Sequence, residues 1–229
     1  MYCVSSVGQS WTEQPIHFVD FEGNQTSGIL EFGVATVLRG EIVATRTRLC
    51  RAVGKVSAAE SAVHGIAPND LEGASPFADE WDYFTALRES GPLAAHFAGV
   101  ENALLKAVWP YPRRSPDFAR PGQEIFEWGP WVDTARIFGQ LYPKLETAGL
   151  ESLVSAAGVG AALEAVAEVH CPQPRRRFHA ALYDALAGAL LLGAMARDPQ
   201  VASLSTMQLL ALSTLDPVKR DHLSQAELF

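Results

Sequence analysis

The sequence predicts an α/β domain built on a five-stranded mixed sheet flanked by helices, with a three-stranded antiparallel meander first and parallel strands after it. Three observations carry that expectation. β-rich runs follow one another directly at Ile16 to Gly23, Ile29 to Val37 and Glu41 to Leu49, the last two joined across Arg39-Gly40 as a hairpin. Beyond them, short apolar runs alternate with helical patterns, the order of parallel crossovers. A chain of 229 residues that is 48% hydrophobic can bury one good-sized core, with tails to spare.

In chain order, residues 1–14 are mostly polar and aperiodic and read as a loose arm. Ile16-His17-Phe18-Val19-Asp20-Phe21-Glu22-Gly23 reads as a buried strand that ends in acids and a glycine turn. Ser57 followed by Glu60 opens a short helix that Gly65 ends. A helix is expected from Pro76 to Glu89, with Phe77, Trp81, Phe84 and Leu87 at helical spacing. Pro92 to Phe97 is a short apolar strand, followed by a helix from Val100 to Val108. Trp109 to Pro130, rich in Pro, Arg and aromatics, reads as an irregular loop. Trp131 to Thr134 is a short strand running into a helix; small helices follow, then a long one from Ala180 to Arg197. The domain boundaries are accordingly placed at 1–14 for the arm, 15–198 for the domain, and 199–229 for a C-terminal helix and tail.

Composition narrows the function classes. A net charge of −8 argues against a protein that coats nucleic acid through a broadly basic surface, though a site made of carboxylates is itself acidic. Two local basic clusters stand out, Arg113-Arg114 and Arg175-Arg176-Arg177. The apolar run Ala185 to Ala196 is too short to span a bilayer and the N-terminus lacks a signal-peptide pattern, so a soluble cytoplasmic protein is expected. Cys3, Cys50 and Cys171 show no metal-binding spacing and read as reduced thiols.

Two features carry chemistry. Asp20 and Glu22 lie two apart in a strand, so both side chains share a face. Within so apolar a run, two same-facing carboxylates repel and lose hydration unless a cation or polar partner compensates. The plainer alternative is a strand end open to water. Asp184, likewise, is an acid on a helix that is apolar nearly all round. His179, five residues earlier, lies about 140° away around a helix and so belongs to the loop or first turn. At a helix entrance beside Arg175 to Arg177, such a histidine can deprotonate water near an anionic substrate; taken alone, it reads as a surface residue or cap.

These residues resemble the DEDDh exonucleases. Phe18-Val19-Asp20-Phe21-Glu22 resembles the first motif, and Ile29-Leu30-Glu31-Phe32-Gly33 the strand after it. Val63-His64-Gly65-Ile66 resembles the His-Gly-Ile turn, Trp131 to Arg136 the Asp-Thr strand-to-helix junction, and His179 to Asp184 keeps the H-x4-D spacing. The resemblance, over about residues 16–195, implies a ribonuclease-H-like fold and 3′→5′ hydrolysis of nucleic-acid ends with two Mg2+ or Mn2+ ions. It implies Asp20, Glu22, Asp184 and Glu101 as metal ligands, Asp20 bridging, and His179 as general base. Nucleic-acid contact is expected at Phe21, through its backbone with the ring in the core, and at His64, Arg175, Arg176 and Arg177; the plainer reading of His64 is a turn role. Asp133 and Thr134 read as caps of the next helix, and Trp128 and Trp131 either pack or stack on bases.

The sequence departs from the pattern in two places. Gly23-Asn24-Gln25 lengthens the first motif's loop. The second motif, usually His-Asn-Ala-x-Phe-Asp, aligns with His96-Phe97-Ala98-Gly99-Val100-Glu101, with Phe97 for Asn and Glu101 for Asp. That motif divides an active exonuclease, acting on single-stranded or 3′-ended nucleic acid with DNA favoured, from a catalytically weak binding module. The terminal Ser224 to Phe229 is similar to sliding-clamp peptides of bacterial replication and repair proteins, with Gln225, Leu228 and Phe229 in register; a frayed terminus is the alternative. This favours proofreading or repair.

Overall fold

The computed structural model describes residues 10–143, 149–214 and 216; the clamp-like tail at Gln225 to Phe229 lies outside them. Strands β1 (Ile16–Asn24), β2 (Gly28–Leu38) and β3 (Glu41–Leu49) form the expected meander. Arg39 and Gly40 turn the β2–β3 hairpin with both φ angles positive, at 54° and 79°, which matches the twist of the strands they join. Helix α1 (Ala58–His64) begins in a capping box between Ser57 and Glu60 and ends at left-handed Gly65. The helix expected from Pro76 is split: a 3-10 turn at Phe77–Glu80 precedes α2 (Trp81–Ser90).

Next come β4 (Leu93–Ala95), α3 (Gly99–Val108), the two-residue strands β5 (Ser115–Pro116) and β6 (Glu124–Ile125), β7 (Trp131–Asp133) and α4 (Thr134–Leu141). The chain continues through α5 (Leu150–Ala156), α6 (Gly160–His170), α7 (Ala181–Ala196), α8 (Pro199–Ala202) and α9 (Thr206–Leu212). The main sheet is five-stranded in the order β3-β2-β1-β4-β7, antiparallel across β1 to β3 and parallel from β1 through β4 to β7. This is the mixed sheet the sequence predicts. Among the described residues, no single helix is long and apolar enough to cross a membrane.

Each face of the sheet buries its own core. Val19, Phe21 and Phe32 pack with Phe77, Phe84 and Trp128 beneath α2. On the opposite face, Phe18, Ala35 and Val37 meet α7, whose Leu186, Leu191 and Leu192 are fully buried, each worth about 1.5–3 kcal/mol relative to exposure. Glycine permits this close approach. A Cβ on Gly33 would lie 2.2 Å from the Ala181 backbone, and one on Gly188 would lie 1.9 Å from the Phe18 ring.

Residues 10–14 do not form the loose arm expected. Trp11 is buried, its Nε1 donates to the Val201 carbonyl at 2.8 Å, and its backbone N–H donates to the Leu204 carbonyl at 3.1 Å. One large aromatic anchors an otherwise polar stretch. Trp109 to Pro130 is irregular as expected but firmly seated. Arg88, buried beneath it, donates to the carbonyls of Pro116, Glu127 and Gly129, and Trp128 is fully buried.

Candidate active site

Because side chains alternate along β1, Asp20 and Glu22 follow Phe18 onto the face covered by α7, while Phe21 points the other way. Phe21 is buried against Phe77 and Phe84 at ring separations of 5.5 and 5.8 Å. Its side chain therefore belongs to the core, as expected for the ring. In the β1–β2 register Asp20 faces Gly33 and Glu22 faces Glu31. The absent side chain at Gly33 lets the first turn of α7 settle over Asp20, carrying Asp184 with it.

The turn into α7 is built around two carboxylates. His179 is exposed with φ 62°, and its backbone N–H donates to Asp184 Oδ2 at 3.1 Å. Asp184 thereby holds the loop histidine, as its place off the helix face requires. Ala180, at the N-cap, has no side chain to cap α7. The missing acceptor comes from β2: Glu31 Oε2 takes the Ala181 N–H at 2.9 Å, a negative charge on the helix end that favours one.

Glu31 was not singled out from the sequence, yet it is only 4% exposed and organises this corner. Its signal was that of Asp20, one acid inside an apolar strand. Arg175 pairs with it in a fork, Nε to Oε1 at 3.1 Å and Nη2 to Oε2, and also donates to the carbonyls of His64 and His179. Arg175 is thus held inside the fold and is not presented to a nucleic acid. Arg176 is likewise occupied, by the carbonyls of Cys171 and Glu168. His64 is 2% exposed and accepts the Ile66 N–H at 3.0 Å through Nδ1, a turn residue and not a surface contact. Of the expected basic triplet, only Arg177 is exposed.

The second motif forms the turn between β4 and α3. Asp133 caps α4 through the Arg136 N–H at 3.2 Å and also accepts the N–H groups of Phe97 at 3.3 Å and Ala98 at 3.1 Å. One carboxylate thus clamps two loops at the ends of adjacent parallel strands. Glu101, in the first turn of α3, is 5% exposed, and its Oε2 has no hydrogen-bond partner among the described residues.

Electrostatically the site is short of positive charge, Arg175 being already paired with Glu31. Burial, then Asp184, Glu22, Glu101 and Glu31, hold the Asp20 carboxyl well above its ordinary range. Burial, with Asp184 and Glu31 adding to it, pushes Glu22 up to about 8, against the opposing pull of Arg175. Asp184 rises to about 7 through burial, moderated by the His179 N–H, and burial raises Glu101 to about 8. Ligand atoms of Glu22, His179 and Asp184 all lie within 4.8 Å of one another, and Asp184 Oδ1 has no hydrogen-bond partner among the described residues. Asp20 and Glu101 stand outside that group and join it through charge. Crowded carboxylates with unpartnered buried oxygens suit a hard divalent cation. The residues present therefore fit one, and the water-exposed strand end is not what is found.

No family model matches the chain, and no curated protein matches it by sequence. Solved structures do. Exonuclease X in complex with 5′ overhanging duplex DNA superposes with a TM-score of 0.63 at 20% identity, over 87% of this chain and 99% of that one. The nuclease domain of 3′hExo, a DEDDh family member bound to rAMP, gives 0.60 at 16% identity over 86% and 97%. An E. coli ExoI–ssDNA complex gives 0.56 at 12% identity, over 82% of this chain and 42% of that one.

Proposed function

From a fold shared with DEDDh 3′-exonucleases, we propose that this chain is itself a metal-dependent 3′→5′ exonuclease that releases 5′ mononucleotides. The observation that carries the reading is convergence: Asp20 and Glu22 from β1 meet Asp184 of α7 and the His179 turn before it on one sheet face, with Glu22 and Asp184 buried, Asp20 half-buried and little positive charge beside them. Glu22 and Asp184 would hold a divalent ion, Mg2+ or Mn2+, directly, with Asp20 bridging to a second and Glu101 completing the set. Bound cations would supply the positive charge this cluster lacks and stabilise the attacking and leaving oxygens of an in-line displacement at phosphorus.

The remaining steps belong to the protein. His179, exposed on a turn fixed by Asp184 and Arg175, takes the proton from the attacking water. The water oxygen forms a bond to phosphorus as the bond to the leaving 3′ oxygen breaks, and that oxygen picks up a proton. The Asp133 clamp keeps the Glu101 helix in register with β4. With a 3′-labelled single strand and Mg2+ or Mn2+, the wild type should release labelled mononucleotides and Asp20→Ala should lose at least about a hundredfold in rate. A wild type that releases none, or that cuts circular strands, removes the proposal. DNA is the favoured substrate, tested by running DNA and RNA of one sequence side by side. The anchors Gln225, Leu228 and Phe229 extend the proposal to a sliding clamp in proofreading or repair. Deleting Leu228 and Phe229 should then abolish co-elution with a clamp, and unchanged co-elution would eliminate that role.

A further inference from the structure

Phe97 occupies a position where backbone and burial both oppose a large apolar side chain. Its φ is 62°, in the left-handed region, where a Cβ-bearing residue is strained and a bulky one is an outlier. The side chain recovers little by packing, because it remains 41% exposed, and the ring it meets is that of the neighbouring His96, edge-on at 4.9 Å. The conformation is imposed from outside, by the Asp133 carboxylate holding the Phe97 and Ala98 N–H groups. Strain held this way by a neighbouring element is characteristic of functional turns.

The position places Phe97 at the end of the sheet that carries the acids. β4 runs parallel to β1, with His17 beside Leu93 and Phe18 beside Ala94. Residues leaving β4 therefore emerge alongside the end of β1 that carries Asp20 and Glu22. Phe97 is also one turn ahead of Glu101, whose charge Asp20 feels.

We infer that Phe97 is a stacking platform for a base at the 3′ end of the substrate strand. The inference rests on the exonuclease proposal and adds to it a specificity-determining contact. Every base has a π-face, so stacking binds an end without selecting sequence. It also gives attraction that does not depend on charge, which an acidic cluster needs when it receives a polyanion. Asn tolerates the left-handed region better than Phe, so the aromatic ring gives up backbone comfort for an exposed face.

The test compares wild type with Phe97→Ala, Phe97→Asn and Phe97→Trp on two single strands, one ending in a normal 3′ nucleotide and one whose 3′ nucleotide is abasic. On the normal strand KM should rise about tenfold for the Ala and Asn variants and stay near wild type for Trp. On the abasic strand the four proteins should have similar KM, and Phe97→Asn should melt no lower than wild type. Equal KM for wild type and Phe97→Ala on the normal strand overturns the inference while leaving the exonuclease proposal standing. A second readout does not need turnover: with Ca2+ in place of Mg2+, wild type should quench a 3′-terminal 2-aminopurine and Phe97→Ala should not. Equal quenching by the two proteins, or none by wild type, overturns the inference as well.

Discussion

Gly33→Ala tests how the site is assembled. The added Cβ would lie 2.2 Å from the Ala181 carbonyl carbon and oxygen and 2.3 Å from the Leu182 nitrogen. These are backbone atoms, so no rotamer change relieves the contact. Carbon contacts settle near 3.5 Å or more, so the first turn of α7 must retreat by more than about 1 Å. Overpacking of this kind costs about 1–3 kcal/mol. The same movement carries Asp184 and the His179 turn away from Asp20 and stretches the Glu31 cap on Ala181. A displacement of about 1 Å at reacting groups can cost about a hundredfold in rate. Urea unfolding should therefore show a loss of about 1–3 kcal/mol, and kcat/KM on a 3′-labelled strand should fall about a hundredfold. Gly139→Ala is the control, since its Cβ would meet nothing within 4 Å inside α4; it should stabilise by about 0.5–1 kcal/mol. A Gly33→Ala protein with wild-type stability and rate would refute this account.

Two further outcomes follow from the buried charges. Arg175→Met leaves Glu31 buried without its cation and should cost about 3–5 kcal/mol in urea unfolding, part of it recovered in the Glu31→Gln/Arg175→Met double variant; a single-variant loss below about 1 kcal/mol would contradict the fork. Metal-free stability should depend on pH. Glu22 and Glu101 at about 8 and Asp184 at about 7 keep protons in the folded state that the unfolded chain releases near pH 4. Their contribution is complete below about pH 4 and is lost as pH rises through 7–8. In EDTA, Tm should thus fall between pH 6 and 9, and Mg2+ or Mn2+ at pH 8.5 should restore it; a flat profile would argue against the crowding described. His17 has the opposite sign. Buried between Thr36 and Ser90, it is lowered to about 4, so its share is intact above about pH 6.5 and lost as pH falls toward 4.

Local grammar was the legible part of this chain. Alternating apolar runs marked β1 to β3, Ser57 and Glu60 marked their helix start, and Asp20, Glu22 and Asp184 stood out because acids in apolar runs need a reason. What pairs with what was not legible. Arg175 read as an exposed cation because its partner lies 144 residues earlier in the chain. Arg88 lies in the helix expected from Pro76 to Glu89 with nothing to mark it, yet the loop it supports returns to bury it. Trp11 was hidden by polar neighbours, and Glu31 by the two acids already found beside it. In each case the deciding contact is long-range, and a single sequence carries no mark of it.

The fastening of Trp11 to Val201, 190 residues apart, together with the burial of β1 under α7, orders the molecule in time. On the ribosome, β1 to β3 emerge before α7, with Phe18 and Val37 bare on the face that α7 will cover, and such long-range contacts close slowly. Asp20 and Glu22 wait for Asp184, which is made more than 160 residues later. A growing chain consequently has no assembled carboxylate cluster until α7 has been made. A chain cut short before α7 loses both the cover for that apolar face and the last of the acids, so the truncation that would expose it to aggregation also leaves the carboxylate cluster incomplete.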